Sequence, residues 1–234
     1  MGPFRCRRSG RLAQALLLSC LGLRVVDAGE QQPPCSQPSD SPLETPCFRR
    51  LANRTGFELR QYGVGGSRWQ DVFSSVQVAN PVWHYARDVG FAQNEAFIHG
   101  DNSANLTIPA TAPRVTRVLD YVNWRIMYYM PASRFPSVAS LPVSRSDPGM
   151  NNVPIPANAT FAVLAFSTGN RSADDGDFRV MTAALNTSIQ RDGGLEIVED
   201  SWWQVWTGFA RSNGTAAPMA HNEVWLHVRA RVGE

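Results

Sequence analysis

The sequence predicts an α+β domain, a curled antiparallel sheet or barrel flanked by two helices and arranged as two similar halves. Three observations carry that prediction. The apolar segments mostly alternate with a period of two residues, the mark of half-buried strands. Only two segments carry helical periodicity, and the order strands, helix, strands occurs twice. No sequence repeat accompanies the second feature.

Regular structure is expected to begin near Phe57, where FELRQY alternates Phe57, Leu59 and Gln61 with Glu58, Arg60 and Tyr62. Gly63-Val64-Gly65-Gly66 makes a turn, and Trp69 to Val78 is a second strand rich in β-favouring side chains. Asn80-Pro81 then opens the first helix, with Asn80 as N-cap and Gly100 as the C-terminal stop. At 100° per residue, Val82, Tyr85, Ala86, Val89, Ala92, Ala96 and Phe97 share an apolar arc, with Trp83 and Gly90 at its edge. His84, Asp88, Glu95 and His99 form a polar stripe opposite.

Strands are expected over residues 106–111, 115–119 and 123–130, with a corner at Pro113. The Pro- and Ser-rich stretch 131–152 reads as a long surface loop. ATFAVLAF (159–166) is a buried strand. Residues 174–191 form the second helix, with Phe178, Met181, Leu185 and Ile189 on one face and Gly193-Gly194 as its stop. Strands at 195–199, 202–209 and 223–228 complete the chain.

The N-terminus points to export. Arg5, Arg7, Arg8 and Arg11 precede an apolar run from Leu12 to Leu23 and small residues up to Ala28, the order of a secretory signal peptide. The run falls short of the roughly 20 residues that span a bilayer, and an uncleaved signal anchor is the alternative. The expected domains are therefore a signal peptide (1–28), a Pro/Ser-rich leader (29–46) and one folded domain (47–234). The formal charge is +2 for the whole chain, but residues 1–28 hold five Arg and one Asp. Removing them leaves 17 basic and 19 acidic residues, a charge of −2, and nucleic-acid binding loses its support. Every basic side chain is Arg, so lysine Schiff-base chemistry is excluded.

Cys6 and Cys20 lie in the signal region. Cys35 and Cys47 are then expected to form a disulfide in an oxidising compartment, worth on the order of 2–3 kcal/mol for so short a loop. Six sequons, at Asn53, Asn105, Asn158, Asn170, Asn186 and Asn213, exceed the roughly two expected by chance and suit a glycoprotein.

Enzyme motifs are absent: no G-x-S-x-G elbow, P-loop or H-E-x-x-H occurs. His84 and His99 are expected at the surface, and His221 and His227 on a solvent-facing strand with Glu223 and Trp225. The latter two His are too far apart for one ion at about 3.3 Å per residue, so no metal ion is expected. Asp174-Asp175-Gly176-Asp177 lacks the later Glu of a calcium loop and suits a helix N-terminus. The aromatic side chains Trp83, Phe91, Trp202, Trp203 and Trp206 are the candidate ligand wall. Trp202 and Trp206 share one sheet face, and Trp203 takes the other.

Several patterns coincide in order with a known family. FELRQY is similar to the opening strand of the SOUL, or haem-binding-protein, family. Trp83, Gly90-Phe91 and Phe97-Ile98-x-Gly100-x-Asn102 resemble its first helix and turn. Ile108-x-x-Thr111-Ala112-Pro113 resembles its Met-Thr-Ala-Pro corner, with Ala110 in place of Met, and Asn222-Glu223-Val224-Trp225-Leu226 its closing strand. The resemblance implies a distorted antiparallel β-barrel with two helices, and a shallow apolar groove near the first helix for haem or another porphyrin. It also implies a non-enzymatic binding role. Gln61 stands where some members carry His, and Asn94 and Glu95 stand where the helix is often more apolar. The expectation is a secreted glycoprotein that holds a planar hydrophobic ligand, haem or a porphyrin, with weak or no axial ligation of iron. The alternative is an extracellular protein-interaction module that has lost tetrapyrrole binding.

Overall fold

A computed structural model describes residues 43–63, 72–169, 172–206, 211–212, 215–216 and 221–231. The expected signal peptide and most of the leader, with Cys35, lie outside the described residues, as do the 64–66 turn and the sequons at Asn170 and Asn213.

The strands are β1 (Phe48–Arg54), β2 (Phe57–Tyr62), β3 (Val72–Ala79), β4 (Arg114–Val118), β5 (Asn123–Met130), β6 (Asn151–Pro154), β7 (Thr160–Phe166), β8 (Leu195–Trp206), β9 (Arg211–Ser212), β10 (Thr215–Ala216) and β11 (Asn222–Ala230). The α-helices are α1 (Trp83–Ile98) and α2 (Asp175–Asp192). Nine strands form one antiparallel sheet in the order β1-β2-β7-β11-β8-β4-β5-β3-β6, curled into a half-barrel with both helices against it. β9 and β10 pair as a small ribbon.

The two halves share one topology. β3-α1-β4-β5 places β5 between β3 and β4, and β7-α2-β8-β11 places β11 between β7 and β8. The halves join where β4 pairs β8, with Thr116 opposite Gln204 at the middle of that ladder. Period-two alternation sorts the strands into two faces. Ile126, Val118, Trp202, Trp206, Val224 and Leu226 turn toward the helices, while Met127, Val115, Trp203, Val205 and Trp225 line the other side.

α1 is seated by two residues one turn apart. A Cβ added to Gly90 would lie 2.6 Å from Ile126 Cγ1, so only a glycine lets the helix come this close to β5. Asn94, fully buried, donates to Gly90 O (2.9 Å) and Ile126 O (3.2 Å) and accepts from Ser74 Oγ (2.6 Å). This changes the expected orientation of α1. The buried face is Ala86, Gly90, Asn94, Phe97 and Ile98, whereas Tyr85, Ala92 and Ala96 are exposed. The apolar arc misplaced the helix because a glycine and an amide, invisible to hydropathy, make its closest contacts.

The capping predictions differ in outcome. Asn80 Oδ1 accepts from Val82 N (2.8 Å), but α1 begins at Trp83. Its C-terminus is closed by Asn102, which donates to Phe97 O (2.8 Å) and Leu106 O (2.7 Å). α2 is capped by a reciprocal pair: Asp174 accepts from Asp177 N (3.0 Å) and Asp177 from Asp174 N (2.9 Å), with left-handed Gly193 as its stop.

Three expected elements need correction. β1 precedes the expected start of structure: FRRLANR is too charged to announce a strand, yet it pairs β2 along a sheet edge. Residues 106–111 form no strand, only isolated bridges at Thr107 and Thr111, because Asn102 and the chain before β1 take their backbone groups. The 131–152 stretch includes a 3-10 turn, Val138–Ser140, and the start of β6.

Gly90→Val tests the seating of α1. The added atoms meet Ile126, so unfolding stability should fall by about 1–3 kcal/mol, and Ile126→Ala in the same chain should recover part of the loss. Equal denaturation midpoints for wild type and Gly90→Val would remove the close approach from this account.

Candidate functional site

Between the helices, the helix-facing side of β8 and β4 carries a continuous run of aromatic rings. Phe91 from α1 meets the Trp206 ring edge-on at 5.7 Å, and Trp206 meets Phe178 from α2 at 4.9 Å. Trp83 and Phe91 pack with Trp202 beside Val118, Trp124 and Ile126. Trp206 and Phe178 are buried and form the back of the wall, whereas Trp83, Phe91 and Trp202 are half-buried and retain open surface.

A polar strap crosses the floor. The Trp83 indole N–H donates to Gln204 Oε1 (3.0 Å), and Gln204 Nε2 donates to Asp175 Oδ1 (3.1 Å). Asp175 also pairs with Arg179 (2.6 Å). Fully buried Gln204 thus ties both helices to the strand between them, and its amide has a donor on one side and an acceptor on the other.

Next to Trp202 opens a cleft of about 350 Å³ lined by Val118, Leu119, Asp120, Tyr121, Arg179 and Trp202. Its volume lies at the lower end of the roughly 300–1,000 Å³ typical of small-molecule sites. Tyr121 is 84% exposed at its rim, with Val122 and Val82 also exposed. Asp120 is held below the usual carboxylate range by the Asn123 side-chain amide and the Val122 N–H, so it is anionic at neutral pH. Arg179 lines the cleft, and Arg87, paired with Asp88 (2.8 Å), lies 4.5 Å over the Trp83 ring beside it.

Of the five aromatic residues singled out from sequence, Trp83, Phe91, Trp202 and Trp206 lie together on this face. Trp203 is on the other face, stacked with Trp225 at 6.0 Å and edge-on to Phe161 at 5.1 Å. Sequence reasoning missed Val118, Leu119, Asp120, Tyr121 and Arg179. The signal available was an aromatic residue inside the β4–β5 turn, LDYVN, where a tight turn needs none.

Gln61 sits on β2, where Arg49 donates to its Oε1 (2.6 Å), with β7 and β11 between it and β8. His84 and His99 are exposed, and His99 lies 3.4 Å from Glu95. His221 is exposed, but His227, Glu223 and Trp225 do not face solvent as expected. They line the inner face of the half-barrel, with Glu223 bonded to Arg60 (3.0 Å) and Trp225 (2.7 Å). No group of three metal-ligating side chains occurs among the described residues. No described helix is long and apolar enough to cross a membrane. Of the described sequons, Asn53, Asn105 and Asn158 are exposed and Asn186 is half-buried on α2.

A planar anionic macrocycle with an apolar body fits this chemistry. The exposed parts of Trp83, Phe91 and Trp202 could take the ring, and Arg87 and Arg179 its carboxylates. Neither imidazole nor thiolate lines the cleft, so the donor set does not favour iron.

Gln204→Leu should lower unfolding stability by about 1–3 kcal/mol, because the Trp83 N–H loses its partner; an unchanged midpoint would mean the strap carries nothing. Asp120 gives a pH signature. Its folded pKa is depressed, so its contribution is complete above the unfolded carboxylate's pKa and disappears as pH falls through the folded value. Asp120→Asn should therefore lower the melting temperature at pH 7, with the gap closing as the pH falls below the ordinary carboxylate range. A gap that persists unchanged in acid would contradict it.

The family profile described as SOUL heme-binding protein matches residues 43–227, more than half of the chain. Among curated proteins none matches. Among solved structures, a putative transcription regulation protein from Staphylococcus aureus MU50 is 11% identical, covering 74% of this chain and 97% of its own at a TM-score of 0.39. A hydrolase from Listeria innocua is 10% identical, covering 76% and 94%, TM-score 0.40. A protein bound to tetraphenylphosphonium is 9% identical, covering 74% and 93%, TM-score 0.37. These three are too distant to bear on function. The profile match, on a half-barrel whose two halves repeat one strand–helix–strand–strand topology, establishes that the chain belongs to the SOUL heme-binding protein family.

Proposed function

We propose that this protein is a secreted glycoprotein that binds a planar hydrophobic ligand, haem or a porphyrin, in the cleft lined by the β4–β5 turn, Trp202 and α2, beside Trp83 and Phe91 of α1. Binding rests on apolar contact with Trp83, Phe91 and Trp202 and on pairing of ligand carboxylates with Arg87 and Arg179. Axial ligation of iron is weak or absent. The carrying observation is the run of partly open aromatic rings beside a cleft lined by Arg179, with Arg87 over the neighbouring Trp83 ring. Family membership adds a fold associated with tetrapyrrole binding.

Secretion, signal cleavage, glycan attachment and the Cys35–Cys47 disulfide belong to the same proposal. Its supports are the N-terminal sequence pattern, the three exposed sequons and the presence of two cysteines, Cys35 and Cys47, outside the signal region. The proposed role is binding, in keeping with the description of the family.

A second reading, an extracellular protein-interaction module without tetrapyrrole binding, draws on the exposed apolar rim of Val82, Tyr121 and Val122. The polar residues Asn94 and Glu95 do not favour it. Asn94 seats α1, and Glu95 accepts from the Tyr128 hydroxyl (2.8 Å) and pairs with Arg114, so neither removes apolar surface from the cleft.

Titration of the mature protein with hemin and with metal-free protoporphyrin separates the readings. The expected result is comparable quenching of Trp fluorescence by both, with a small Soret shift for hemin. Trp202→Ala should weaken both by about tenfold, a loss consistent with one buried aromatic contact, while Trp203→Phe leaves both intact. Absence of quenching by either ligand would reject tetrapyrrole binding and leave the interaction module.

A further inference from the structure

The inner face of the half-barrel, away from both helices, carries a row of side chains that the tetrapyrrole reading does not use. Register places Gln77 opposite Arg125, Arg125 opposite Arg117, Arg117 opposite Trp203 and Trp203 opposite Trp225, one residue on each of five successive strands. Two arginines directly opposite one another on neighbouring strands is an unfavourable pairing, because like charges stand within about 5.5 Å at Cβ. A neighbouring carboxylate relieves only one of them.

Arg117 takes that relief. It pairs with Glu199 and donates to Ser201 Oγ (3.1 Å), both in the irregular stretch of β8 opposite His227. The other Glu199 oxygen lies 3.5 Å from His227 Nδ1, and the His227 ring stacks on Phe161 at 5.2 Å. Glu199 is thus committed on both oxygens. The guanidinium of Arg125, half-buried one strand away, has no hydrogen bond or ion pair among the described residues, and burial together with Arg117 disfavours its charge. Its flank toward β3 is the exposed amide of Gln77. One strand beyond Arg117, the Trp203 indole N–H is buried and also lacks a hydrogen-bond partner.

We infer that Arg125, Arg117 and Gln77 form an oxyanion site on the inner face of the half-barrel, one that takes a carboxylate or a phosphate. The guanidinium of Arg125 offers a planar fork suited to two oxygens of such a group, Arg117 adds a second cation, and the Gln77 amide adds a neutral donor. Anion binding removes the like-charge conflict that the register builds in. The inference is independent of the cleft beside Trp202, which lies on the opposite face.

The test is a titration of ¹⁵N-labelled mature protein, at constant ionic strength, with sodium phosphate or sodium acetate against a sodium chloride control. Arginine Nε–H and tryptophan indole N–H resonances are followed, with Arg125 and Trp203 assigned by their loss in Arg125→Gln and Trp203→Phe. The expected result is a saturable shift of the Arg125 signal with phosphate or acetate and none with chloride. Phosphate acting alone narrows the ligand class to phosphates, and acetate acting alone narrows it to carboxylates. In Arg125→Gln the remaining shifts disappear, and Arg125→Lys binds at least about tenfold more weakly because the ammonium lacks the fork. Thermal melts without anion complete the test: Arg125→Gln should melt no lower than wild type, since it removes the repulsion. Non-saturating shifts, equal shifts with chloride, or shifts that persist in Arg125→Gln would overturn the site.

Discussion

The close seating of α1 on β5 determines what this structure can present to a ligand. Gly90 removes the side chain that would hold the helix away from Ile126, and Asn94 fastens the next turn to Ser74 and to the backbone of β5. Those contacts fix the rotation of the helix. With Gly90 and Asn94 facing the sheet, Trp83 and Phe91 are directed along its flank toward β8, where Trp202 and Trp206 meet them. Rotating α1 to bury its most apolar arc would turn these rings elsewhere and bring Tyr85 and Ala92 onto the sheet.

Gln204 performs the complementary task from beneath. It occupies the centre of the ladder that joins the two halves and gives one hydrogen bond's worth of attachment to each helix. A buried amide with both ends satisfied costs little and specifies position, whereas a hydrophobic residue there would fill space without orienting the Trp83 indole. The two sheet faces then have different characters. The helix side holds the aromatic run and cleft; the inner side holds a packed core ringed by ion pairs, including the buried Arg60–Glu223 pair. Burial alone would lower the Arg60 pKa, but Glu223 and Tyr62 outweigh it and raise it, so the guanidinium stays charged.

Much of this was legible in the sequence where one physical rule dominates. Period-two alternation located β2, and continuous runs of apolar and β-favouring residues located β5, β7 and β11, whose two faces lie in different cores. The capping residues of α2 announced its ends because Asp174, Asp177 and Gly193 act through local geometry. The rotation of α1 was not legible, since Gly90 and Asn94 act through contacts with residues distant in sequence. β1 was hidden for a related reason: an edge strand gains its stability from backbone pairing with β2 and needs few apolar side chains. At the site, the alternation of Trp202, Trp203 and Trp206 between faces followed from strand geometry. The contribution of the β4–β5 turn depended on curvature that no local pattern records.

The most direct measurement of the central claim is a crystal structure of the mature protein grown with metal-free protoporphyrin. The account predicts the macrocycle in the cleft lined by the β4–β5 turn, Trp202 and α2, its face against Trp202 and its carboxylates toward Arg87 and Arg179, with Gly90 and Asn94 still seated on β5. A macrocycle bound on the inner face near Trp203 and Trp225, or a vacant cleft beside a ligand held elsewhere, would contradict it.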